Sequence, residues 1–204
     1  MTLTRRLGAA ALVLGAAAPF AGSPYRGARG RLDLEETARV IAAGEDHVNA
    51  LHLAAWIRDR KPGLRVVDVR SRADFEAYAI PTAENLPIEA VPRARFAPEE
   101  TVVLYSEGGA HAAQAWMLLR AAGVRNALFV PGGLADWRDE VISPVLPADA
   151  PPEQAAAFER AAELSRYFGG SPRIAAPGES VTRPTELAEA GPPAQLARTR
   201  RRGC

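Results

Sequence analysis

Three short runs rich in β-branched and aliphatic residues, "LRVVDV", "TVVLYS" and "NALFV", alternate with segments whose apolar residues recur at helical spacing. That alternation constrains the fold more than any other feature. Strands separated by helices of this length cannot be joined as hairpins, so the chain must cross back over the sheet and run its strands parallel. Each run is apolar almost throughout, as expected of strands covered on both faces. The pattern predicts an α/β domain over residues 46–145.

The punctuation agrees with this reading. Ser71 in "SRADFEAYA" is placed to cap a short helix, with Asp74 three residues on where a capping acid belongs. "ENLPIEAV" is a short strand broken by Pro87, which has no N–H for a ladder and belongs at an edge. A helix over 112–122 carries Ala115, Trp116, Leu118, Leu119 and Ala122 and stops at Gly123; "PGGLADWRDEV" is a glycine turn into another short helix. Upstream, "LDLEETARVIAAGEDH" reads as a helix on Leu34, Ala38, Val40 and Ile41, and "VNALHLAAWIRDRKPG" as a second, closed by Pro62 and Gly63. Residues 152–168 form an amphipathic helix with Pro152 at its start and Phe158, Ala161, Leu164 and Phe168 on one face.

The expected organisation has five parts. Residues 1–22 place Arg5 and Arg6 before an apolar run and then small residues, the layout of an export signal. The run is shorter than the roughly 20 residues a spanning helix needs. An exported, periplasmic or extracytoplasmic protein is expected, with membrane contact only if this segment stays uncleaved as an anchor. Residues 23–45 are a linker and short helix, 46–145 the α/β domain, and 146–170 the C-terminal amphipathic helix. Residues 171–204 are poor in large apolar residues and rich in Pro, Gly, Ala, Glu and Arg, and read as a disordered tail ending in Cys204. With a net charge of +1 and Lys61 as the only lysine, the chain has no field to draw nucleic acid. Cys204 is the only cysteine, so no intramolecular disulfide forms. The sequence shows neither a metal-ligand constellation nor a nucleotide motif, since "EGGAHA" lacks the Lys-Ser/Thr of a phosphate-binding loop. No cofactor is expected.

"VVDVRSRADFEAYAIPTAENLPI", "TVVLYSEGGAHAAQAWMLLRAAG" and "ALFVPGGLADW" follow one another in an order that resembles the rhodanese (sulfurtransferase) domain family. The landmarks are the strand end Asp68-Val69-Arg70, the strand-loop-helix at 101–122, and the close Gly132, Gly133 and Trp137. The resemblance implies a five-stranded parallel sheet flanked by helices on both faces. It also implies an active loop at Ser106, Glu107, Gly108, Gly109, Ala110, His111 and Ala112. Asp68 and Arg70, at a strand end where the family would suggest catalysis, read instead as a structural pair holding neighbouring loops, and Gly132, Gly133 and the large apolar Trp137 as structural residues.

In active family members the residue ending the central strand is a cysteine that carries sulfane sulfur as a persulfide. Here that position is Ser106, and a hydroxyl cannot hold transferable sulfur. A nucleophilic serine needs an adjacent base, and His111 is the only nearby candidate. Where the family commonly has Gly-His-Ile-Pro-Gly-Ala, the chain has "YAIPTA" and loses the histidine. Glu107 beside the loop disfavours an anionic ligand, and the loop through Ala112 contains no Arg, which argues against phosphatase chemistry. The reading is a binding or interaction module for a protein partner or small ligand at the 106–112 loop. Two alternatives stay open: sulfur handling through Cys204 or a partner thiol, since the tail is long enough to reach the loop, and a Ser106-dependent hydrolase.

Overall fold

β-branched residues fix the central strands. In the computed structural model, which describes residues 32–179 and Val181, four of them form one parallel sheet. Its strands are β1 (Leu64–Asp68), β2 (Glu84–Asn85), β3 (Thr101–Tyr105) and β4 (Ala127–Phe129), in the order β2-β1-β3-β4. β1 and β3 align from Leu64 opposite Thr101 to Asp68 opposite Tyr105. β2 is an edge of two residues, and Pro87 ends it as expected.

Side-chain alternation sorts the strands into two cores. Val66, Val103 and Tyr105 face one way, toward α2 (Ala50–Arg58), Leu134, Trp137 and Val141. Val67, Val102 and Leu104 face the other, toward α4 (Ala110–Ala121), whose Ala112, Ala115, Trp116 and Leu119 are buried. The sheet is therefore covered on both faces, which is why its central strands can be apolar throughout.

The fifth strand is not formed. The sheet has four strands, and at the β4 edge there is only a single parallel bridge between His47 and Phe129. The amide of Phe129 donates to Asp46 O at 3.1 Å, and that of Val48 to Phe129 O at 3.0 Å. Pairing stops there because Asn49 already caps α2, its side chain accepting from the His52 amide at 2.7 Å.

The remaining elements are α1 (Leu34–Ala42), α3 (Arg72–Ala77), α5 (Gly133–Asp136) and α6 (Pro152–Tyr167). α5 runs on into a π-helical segment, Trp137–Ile142. In α1 the expected apolar face is only partly used: Val40 packs against the second core, whereas Leu34, Ala38 and Ile41 are exposed, Thr37 is buried, and Glu36 meets Arg120 and Arg125. α6 adds to the first core through Leu164, and Phe168 stands edge-on to Trp137 at 5.1 Å.

The first residues of the segment read as a disordered tail are ordered. Arg173–Ile174 (β6) pair in parallel with Val145–Leu146 (β5), and Ala175 is buried. The amide of Ser171 donates to Ile142 O at 2.8 Å, tying the segment to the end of the π-helical stretch. The export segment 1–22, most of the linker that follows it, Cys204 and most of the tail lie outside the described residues. Among the described residues no helix is long and apolar enough to cross a membrane.

Candidate functional site

β3 ends at Tyr105, and the loop that follows stands on the turn after β4. The amides of Leu134 and Ala135 donate to Ser106 O and Glu107 O, at 2.8 and 3.0 Å. Two glycines make that contact. At Gly109 (φ +84°) a Cβ would lie 1.4 Å from Pro131 O, and at Gly133 (φ +61°) 2.1 Å from Ser106 O. Both need a left-handed backbone and bare space together, which only glycine supplies. Gly132 donates its amide to the Asp136 carboxylate at 3.1 Å.

Ser106 is 2 % exposed. Its Oγ accepts a long hydrogen bond from the Ala112 amide at 3.4 Å. Gly109, the residue before α4, has no side chain to cap the helix. His111 lies exposed on the first turn of α4 and makes no hydrogen bond to Ser106 among the described residues. The Ser-His pair that a hydrolase needs is not assembled in this geometry.

Asp68 and Arg70 are brought together beneath the loop. Asp68, fully buried, accepts from the Arg70 amide at 2.9 Å, from its Nε at 3.1 Å and from its Nη2 at 2.7 Å. The same Nη2 donates to Tyr78 O at 2.6 Å. These bonds to Asp68 hold the Arg70 guanidinium protonated far above its ordinary range. Tyr105, also fully buried, accepts the Ile80 amide on its Oη at 3.1 Å. Burial and the nearby Asp68 carboxylate keep its phenol protonated.

Glu107 does not lean into the loop. Its carboxylate bridges Arg70 Nη1 at 2.9 Å and Arg138 Nη1 at 2.5 Å, and the Arg138 guanidinium lies 5.5 Å over the Tyr78 ring. The charge expected to repel anions is thus matched by two arginines from outside the loop. Arg138 and Tyr78 were not legible as site residues, because they join Glu107 only through the tertiary fold.

In front of these groups lies an open cleft of about 870 Å³. Val69, Pro87 and Ile88 are apolar residues of its lining; Arg70, Glu107 and Arg138 form its buttressed charge cluster, and Arg72, Asp74 and Glu89 also line it. Ser106 does not line it. In the π-helical segment, burial pushes the Glu140 carboxyl up to about 7, with Asp136 and Asp139 adding to the shift. Among the described residues no group of three or more His, Cys, Asp or Glu could hold a metal ion.

A cleft at the carboxyl ends of parallel strands, beside a strand-loop-helix, defines the class: an α/β domain with its site where such sheets place ligands. Residues 51–140 match the family model of the Rhodanese-like domain. The rhodanese-like domain of the Alr3790 protein from Anabaena sp. is 30 % identical, over 46 % of this chain and 73 % of that one, with a TM-score of 0.43. A crystal structure of the same Anabaena protein gives 31 % identity over 45 % and 75 %, with a TM-score of 0.42. A rhodanese-like domain protein from Staphylococcus aureus is 28 % identical over 47 % and 93 %, with a TM-score of 0.43. No curated protein matches the chain. The chain belongs to the rhodanese-like domain family.

Proposed function

We propose that this rhodanese-like protein does not carry sulfur on its loop and serves as a binding module through the cleft in front of it. The observation that carries the reading is Ser106, buried at the end of β3, where the family resemblance places the sulfur-carrying cysteine. Transfer from thiosulfate requires a thiolate to attack the sulfane sulfur, form an S–S bond and release sulfite. A hydroxyl is too weakly acidic and its oxygen too poorly polarisable for that step. Hydrolysis is disfavoured too, since a nucleophilic serine needs an adjacent base and His111 does not engage Ser106.

The test is thiosulfate-to-cyanide sulfur transfer by the wild type, Cys204→Ser and Ser106→Cys. The expected result is activity only in Ser106→Cys. Wild-type activity that survives in Cys204→Ser would overturn the reading, and activity lost in Cys204→Ser would transfer the role to that thiol. We also propose that residues 1–22 direct export, as their basic start and apolar run suggest. The N-terminal residue of protein recovered from the periplasm tests this; recovery from the cytoplasm alone would refute it.

A further inference from the structure

The charge cluster of the cleft is built unevenly. Arg70 is held from behind, while Arg138 is a half-exposed side chain resting on an aromatic ring. Arg70 has an 8 % exposed side chain, and its Nε and Nη2 are taken by Asp68 and Tyr78 O, which leaves Nη1 to face outward. Arg138 packs over the Tyr78 ring. The anion between them, Glu107, is 58 % exposed, and its carboxylate bonds to nothing else among the described residues. One buried, fixed cation, a second cation resting on a ring and an exposed, detachable anion are the reverse of what a purely structural ion pair needs.

We propose that Arg70 and Arg138 form a carboxylate-binding fork, filled in the free chain by its own Glu107 and taken over by a carboxylate ligand with an apolar body. The two oxygens of Glu107 already show the fit, one to each guanidinium. Asp68 neutralises Arg70, so once Glu107 leaves the fork holds one uncompensated positive charge, matched to a single carboxylate. The apolar lining residues Val69, Pro87 and Ile88 receive the ligand's apolar part. An exposed ion pair is weak, so Glu107 lowers ligand affinity by a factor of about ten or less and acts as a built-in competitor.

The inference rests on the cleft being a binding surface, not on the loss of sulfur chemistry; sulfur transfer by the wild type would leave it standing. The test is an NMR titration of the full chain with two probes, benzoate and the blocked peptide acetyl-Leu-Glu-Leu-amide. Glu107→Gln is expected to bind about three- to tenfold tighter than the wild type, and Arg138→Met to lose binding with or without Glu107→Gln. Arg166→Met, an exposed change of equal charge on α6, should leave affinity unaltered. Tighter binding of the peptide assigns the carboxylate to a protein partner, tighter binding of benzoate to a free small molecule. Equal affinity of wild type and Glu107→Gln, retained binding in Arg138→Met, or no binding of either probe to Glu107→Gln would overturn the proposal.

Discussion

Replacing Asp68 by alanine should cost far more than an ordinary polar substitution. Asp68 is fully buried and the Arg70 side chain nearly so, and the carboxylate receives the Arg70 amide, Nε and Nη2. Removing one member of a buried pair leaves the other charge uncompensated, at about 3–5 kcal/mol. Arg70 keeps Tyr78 O and Glu107 as partners, so the lower end, about 3 kcal/mol, is expected here. Domains are stable by only about 5–15 kcal/mol, so the loss is a large fraction of the whole. Urea titrations followed by circular dichroism measure it, read through the midpoint at unchanged slope. In the double variant Asp68→Ala with Arg70→Met the stranded charge is gone, and the combined loss should fall short of the sum of the single losses by more than about 1 kcal/mol. A loss below about 1 kcal/mol in Asp68→Ala, or strict additivity in the cycle, would refute the reasoning. Asp68→Asn, which keeps the shape and removes the charge, guards against a variant that does not fold.

Gly133→Ala should destabilise by about 2 kcal/mol or more, since a Cβ at φ +61° would lie 2.1 Å from Ser106 O and force the loop off its support; equilibrium unfolding checks this, and a neutral result would argue that the loop does not depend on the turn. Glu140 gives a pH signature. Its carboxyl is raised to about 7 when folded, against about 4.3 unfolded, so the folded state binds the extra proton and loses stability as pH rises between those values. Glu140→Gln should therefore match the wild type near pH 4 and exceed its stability by a margin that grows through pH 7 and then levels off.

Much of the fold was legible because its signals are local. Alternating apolar runs mark β1, β3 and β4, and Pro87 marks the short edge β2. The fifth strand was expected from the resemblance and not from the residues: "VNALHLAAWIRDRKPG" already reads as a helix, and α2 starts at Ala50, too soon after His47 for a strand to form there. Helical spacing found α1 but only part of its inner face: Val40 packs inward as expected, but the rest of that side uses Glu36 with Arg120 and Arg125, pairs far apart in sequence. The same limit applies at the site. Ser106 and its glycine loop could be placed from the strand-loop-helix pattern alone. The surroundings of Glu107 could not, since Arg70 and Arg138 lie 37 and 31 residues away. What looked like a charge aimed at the loop is a charge held across its mouth. Residues 171–175 misled for a different reason, since β6 is two exposed residues whose order comes from backbone pairing with β5 rather than from apolar content.

If Ser106 leaves the loop unable to hold sulfur, the intact mass of the protein after exposure to thiosulfate will show it. In the Cys204→Ser background the mass should stay unchanged, while adding Ser106→Cys should yield a species heavier by one sulfur atom that cyanide removes. A cyanide-removable sulfur on the Cys204→Ser protein with Ser106 in place would mean that the loop carries sulfur without a cysteine at its head.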